Sequence, residues 1–177
     1  MAVSLKKGQG ISLSKSQYDL SRVTLGLGWD VLEEKKGVFG ALFGSKKQDE
    51  DYDLDAVAFL LGANGKVNHL GKPENGRQTL VGGDVIFFNS LKHHSGNIWL
   101  TGDNRTGAGD GDDEQIIAKL DALEERYQRI VFVVQIYQGL KKGQHFGKVQ
   151  NAFIRVVDAK GKDSGPVQGA ADEADAA

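Results

Sequence analysis

Val23-Thr24-Leu25-Gly26-Leu27-Gly28-Trp29-Asp30 sets the fold class. Val23, Leu25 and Leu27 alternate with Thr24, Gly26 and Gly28, a period of two that puts the apolar side chains on one face of an extended strand. Trp29-Asp30 reads as the turn that ends it. Outward from this segment the short-strand pattern recurs: residues 10–13, 52–61, 84–89, 97–101 and 149–157 read as strands, and Asn64-Gly65 offers a hairpin turn before Lys66-Val67. The run from Ile130 to Tyr137 is almost wholly apolar, which predicts a central strand. One segment breaks the period: Ile116, Leu120, Leu123 and Tyr127 fall at helical spacing and predict a helix over residues 115–129. Short strands and 24 glycines against two prolines favour a mainly-β fold, a β-sandwich with one short helix.

Composition narrows the classes. A chain of 177 residues suits one domain with a sizeable core, and its 40% hydrophobic and 26% charged residues are ordinary for a soluble protein. A net charge of -2 gives no global basic footprint for nucleic acid. The absence of cysteine removes disulfides, thiolate metal sites and cysteine nucleophiles. The start, Met1 to Lys7, has no apolar core of a secretory signal, and no apolar run approaches the roughly 18 residues that span a bilayer. A soluble, cytoplasmic protein is expected.

Two segments stand apart from the strands. Residues 33–51 carry Lys35-Lys36 and Lys46-Lys47 around a glycine-broken apolar tip of Val38, Phe39, Leu42 and Phe43, followed by Asp49-Glu50-Asp51. They read as a loop insertion. Its tip either folds back on the sandwich or offers a docking surface for a partner or an anionic membrane. From residue 159 to 177 the chain is rich in Ala, Gly and acidic residues and poor in large apolar ones, so a disordered tail is expected. The sandwich is placed at residues 1–158.

The most informative stretch is Gly102-Asp103-Asn104-Arg105-Thr106-Gly107-Ala108-Gly109-Asp110-Gly111-Asp112-Asp113-Glu114. Its five carboxylates are hinged on glycines that let the backbone fold tightly. Two carboxylates about 5 Å apart repel by roughly 3 kcal/mol at an effective dielectric near 20, so the loop favours a bound hard cation. Loose oxygen coordination suits Ca²⁺ better than Mg²⁺, and the lack of His or Cys in the loop disfavours zinc and copper. It is not an EF-hand, because Arg105, Gly107 and Ala108 stand at positions 3, 5 and 6, where that loop needs two ligands and a glycine. Part of the charge has another explanation: Asp112, Asp113 and Glu114 would open the predicted helix, with Asp112 and Gln115 resembling a capping box. Asp53 and Asp55 share one face of their strand and Asp30 sits at a turn, so these carboxylates are candidates for the same ion or a second one. Asp84, at a strand start, reads as a turn residue.

Together these blocks resemble the TerD-type proteins, the tellurite-resistance and stress-response family. The resemblance rests on Gly26-Leu27-Gly28-Trp29-Asp30, Asp53-Leu54-Asp55-Ala56, Thr101 to Gly107, Gly109-Asp110-Gly111-Asp112-Asp113-Glu114, and Asn151 to Asp158, in that order. The 33–51 insertion is similar to one in TerZ-like members. The resemblance implies a calcium-binding β-sandwich in the cytoplasm, holding one or two Ca²⁺ ions and acting against tellurite, phage, toxin or oxidative stress beside other stress or TerD-type proteins. Carried onto this chain, the implied metal ligands are Asp30, Asp53, Asp55, Asp103, Asn104, Asp110, Asp112, Asp113 and Glu114. Family members usually continue with further strands where this chain has its Ala/Asp tail, which leads to the expectation of an open sheet edge and a homo-oligomer or destabilised monomer.

No enzyme is expected. His93 and His94 are neighbours, which on a strand would point to opposite faces, and no nucleophile motif or phosphate loop is present. The alternative is a Mg²⁺- or Mn²⁺-dependent phosphoester hydrolase built on the acidic cluster, for which Arg105 is thin support.

Overall fold

A computed structural model describes residues 10–31, 52–101 and 111–161 and the backbone of Val167–Gln168. The strands are β1 (Val23–Val31), β2 (Leu54–Leu61), β3 (Pro73–Glu74), β4 (Arg77–Gln78), β5 (Val85–Ile86), β6 (Ile98–Leu100), β7 (Glu114–Ala118), β8 (Arg129–Ile136), β9 (Val149–Val157) and β10 (Val167–Gln168); one helical turn, α1 (Gly139–Lys142), follows β8. They form a five-stranded sheet ordered β10-β9-β1-β7-β6, a three-stranded sheet ordered β5-β2-β8, and the small β3-β4 hairpin. The described pairings are antiparallel.

The two larger sheets meet through their apolar faces. Ala58, Leu60 and Ile86 of one pack with Ile98, Leu100, Ile116 and Ala118 of the other. Leu27 and Trp29 of β1 join Tyr52 and Leu54 in a second cluster. Alternation along β1 and β2 produces this, since Leu25, Leu27 and Trp29, and Leu54, Ala56, Ala58 and Leu60, each line one face. Burying each Leu or Ile contributes about 1.5–3 kcal/mol. Trp29 is fixed further by its indole N–H, which donates to the Tyr52 carbonyl at 3.0 Å.

Several elements differ from the sequence-based expectations. The 115–129 helix is absent: Glu114–Ala118 is a strand, a 3-10 turn occupies Leu120–Ala122, and the chain is irregular to Gln128. β7 pairs with β1 on one side and β6 on the other, and these ladders override the helical spacing. Ile116, Leu120, Leu123 and Tyr127 do gather on one core cluster, but from a strand, a 3-10 turn and the irregular segment after it. β1 runs through Trp29-Asp30 to Val31 across a β-bulge between Gly28 and Asp30, with no turn there. β8 is no central strand: among the described residues it pairs only with β2, its even residues face the core, and Val131 and Val133 lie exposed on the other face. Residues 10–13 form no strand. Val167–Gln168, inside the expected disordered tail, pairs with Ile154 and Phe153 of β9. The apolar tip Val38, Phe39, Leu42 and Phe43 lies outside the described residues. No helix among the described residues is long and apolar enough to cross a membrane.

Candidate metal-binding end of the sandwich

The end of β1, the start of β2, the start of β7 and the start of β9 lie together at one end of the sandwich. Antiparallel pairing dictates this for β1, β7 and β9, with Leu27 opposite Glu114 and Asp30 opposite Gln150, and a bond from Ala56 to Glu114 adds β2. Residues 102–110 leave from Thr101 and return at Gly111, beside the same strand ends. Asp103, Asn104 and Asp110 fall in that segment, outside the described residues.

The described candidates divide by what holds them. Glu114 is 2% exposed, and its Oε2 accepts the Ala56 N–H at 2.7 Å, tying β7 to β2. Asp55 is 3% exposed on the face of β2 opposite Leu54, where Gln135 Nε2 donates to its Oδ2 at 3.3 Å. Half-buried Asp53 lies two residues earlier, its carbonyl accepting the Tyr137 N–H at 2.7 Å. Asp113 locks the β1 bulge: its Oδ2 accepts the Trp29 N–H at 2.9 Å and its own N–H donates to the Leu27 carbonyl at 2.8 Å. Asp30 is exposed, its Oδ2 accepting from Asn151 Nδ2 at 2.7 Å.

Asp112 is different. Arg155 donates through Nε and Nη2 to its two oxygens, at 2.8 and 2.9 Å, and Gln115 Nε2 donates at 3.0 Å. A carboxylate gripped by a bidentate guanidinium is a brace for the turn and a poor cation ligand. The Asp112–Gln115 contact expected of a helix cap is present, but it precedes a strand. Two glycines of β1 make room for this turn. A Cβ on Gly26 would overlap the Asp112 carboxylate, and one on Gly28 would come within 2.7 Å of the Gly111 carbonyl.

The donor chemistry of this end fits a hard cation. It is made of carboxylate and amide oxygens, the ligand type of Ca²⁺, and two of the carboxylates are withdrawn from water. Among the described residues these carboxylates do not by themselves form a group of three able to share one ion.

A second polar cluster escaped the sequence reading. Asp84 is fully buried. Its Oδ1 accepts from Tyr127 Oη at 2.7 Å and from His93 Nε2 at 3.1 Å, and its Oδ2 accepts the His69 N–H at 2.9 Å. Burial alone would raise the Asp84 carboxyl, but the hydrogen bonds from Tyr127, His93 and His69 outweigh it and hold it below the ordinary carboxylate value. Burial pushes the His93 imidazole down, and burial with the Asp84 bond pushes Tyr127 up to about 12. His93 and His94 do not diverge: their ring centroids are 4.0 Å apart. Strand alternation does not apply, because His94 lies in a turn closed by the Gly96 N–H on the His93 carbonyl.

Two antiparallel sheets enclosing an apolar core, with an oxygen-rich acidic end, define a mainly-β sandwich. A family model described as the TerD domain matches residues 1–165, and the chain belongs to that family. It is 68% identical over 160 residues to the tellurium resistance protein TerX of Serratia marcescens, covering 90% of this chain and 74% of that protein. It is 42% identical over 158 residues to the stress response protein SCP2 of Bacillus subtilis, covering 89% and 72%. The fold is similar to that of a Streptomyces coelicolor homologue of the telluride resistance protein TerD, with a TM-score of 0.51 at 23% identity over 80% of this chain and 68% of the other.

Proposed function

We propose that this chain is a non-enzymatic, calcium-binding module of tellurite resistance and general stress response, acting in the cytoplasm as a calcium-stabilised scaffold for other stress or TerD-type proteins. The role in resistance and stress draws on the names of its relatives, TerX and SCP2 among them. The observation that carries the calcium reading is the burial of the Asp55 and Glu114 carboxylates at the end where residues 102–110 begin and finish. In this reading Asp53, Asp55, Asp113, Glu114 and Asp30 supply oxygens together with Asp103, Asn104 and Asp110, while Asp112 braces the turn through Arg155. Calcium contributes compensating charge, and with it stability of the native state: about 4 kcal/mol at a thousandfold excess over Kd.

The test is a calorimetric titration of chelator-treated protein with Ca²⁺, run beside thermal scans in Ca²⁺, Mg²⁺ and Mn²⁺ and a phosphoesterase assay. Uptake of one or two Ca²⁺ ions, with a calcium-selective rise in Tm and no turnover, is expected. Manganese-dependent hydrolysis, or thermal behaviour indifferent to chelator and calcium, overturns the reading.

A further inference from the structure

We propose that Asp84, His93 and His94 form a second cation site, separate in residues and in chemistry from the acidic end, that takes a transition-metal dication of the zinc class. The ligand atoms of the three side chains lie within 4.8 Å of one another, and Asp84 and His93 are fully buried.

The geometry accommodates an ion with little movement. Asp84 Oδ1 and His93 Nε2 are 3.1 Å apart. An ion about 2.0–2.1 Å from each spans that gap at roughly 100°, close to a tetrahedral angle. It takes the place of the hydrogen now shared between them. The imidazole stays neutral, its proton moving from Nε2 to Nδ1, where Ser95 Oγ at 2.8 Å accepts it. The Ser95 N–H, 3.3 Å from Nδ1, gives up that contact. Metal-bound histidines commonly donate their other ring N–H in this way. Tyr127 keeps its proton and continues to donate to Asp84 Oδ1, which orients the carboxylate. His94 is exposed and closes the remaining distance by side-chain rotation, and water completes the shell. Two imidazoles and one carboxylate select zinc-like ions over calcium, whose preferred ligands are all oxygen.

One group opposes the ion. Arg126 Nη2 stands 3.4 Å from His94 Nε2, stacked on Tyr127 with its guanidinium 4.8 Å from the ring centre. Its side chain is half-exposed and paired with Glu124 at 3.1 Å, so it can swing into solvent as the ion enters.

The experiment is calorimetric titration of the full chain with zinc chloride, with and without saturating calcium, and cobalt(II) as a spectroscopic probe. One zinc ion is expected, in either buffer, with a cobalt d–d band of tetrahedral intensity. His94→Ala, at an exposed position, weakens zinc at least about tenfold and leaves the calcium isotherm unchanged. Arg126→Ala keeps every ligand and tightens zinc. A zinc affinity unmoved by both variants, or lost in His145→Ala, overturns the site. A flat calcium isotherm beside intact zinc binding would sink the calcium reading alone.

Discussion

Arg155 and Asp112 show what one residue contributes at the acidic end. The Asp112 side chain is 3% exposed and that of Arg155 is 37% exposed, so truncating the arginine strands a nearly buried carboxylate. Breaking a fully buried pair costs about 3–5 kcal/mol. The exposure of Arg155 and the remaining Gln115 bond lower that to about 1–3 kcal/mol for Arg155→Ala, read from urea midpoints at constant m. A midpoint unchanged from the parent would mean that Asp112 has no need of the brace. The acidic block of residues was legible in the sequence because carboxylates and glycines crowd a short stretch. The split into brace and candidate ligand was not, because Asp112 and Arg155 are 43 positions apart and meet only where β7 and β9 both pair with β1. His93 and His94 were misread for a similar reason, since the alternation rule assumes a strand where the chain turns.

At the scale of elements, β1 is the platform on which the acidic turn rests. Its inner face supplies Leu25, Leu27 and Trp29 to the core, and Gly26 and Gly28 leave the turn room to lie against the strand. Gly26→Ala drives a methyl into the Asp112 carboxylate. The expected result is a loss of about 1–3 kcal/mol from overpacking together with weaker calcium binding, because the turn lifts from β1. A variant that melts and titrates like the parent would show that the turn does not depend on this close approach. The alternation of β1 is legible because it is a local pattern, whereas its course through Trp29-Asp30 to Val31, in place of the expected turn, depends on pairing with β9. β7 was not legible: Ile116, Leu120, Leu123 and Tyr127 are spaced as in a helix, and the choice between helix and strand is made by β1 and β6, whose edges satisfy the backbone of Glu114–Ala118. The apolar run of β8 misled in the same way. Core burial explains Ile130, Phe132, Val134 and Ile136, whereas Val131 and Val133 stay exposed.

For the whole molecule, the question is what joins the two sheets. Apolar contact does most of it, and composition with glycine spacing made the mainly-β class legible before any pairing was known. Glu114 adds a polar link, rooted in the five-stranded sheet and bonded to the backbone of β2 in the other. In the calcium reading Glu114 plays two parts, an acceptor for the β2 backbone and a charged ligand that gains from the ion. Glu114→Gln separates the two effects, because the amide oxygen still accepts the Ala56 N–H while the charge is gone. From chelator to saturating calcium, the parent should gain several degrees more than the variant. Equal calcium increments in the two proteins would remove Glu114 from the ion's environment and leave it a purely structural tether between the sheets.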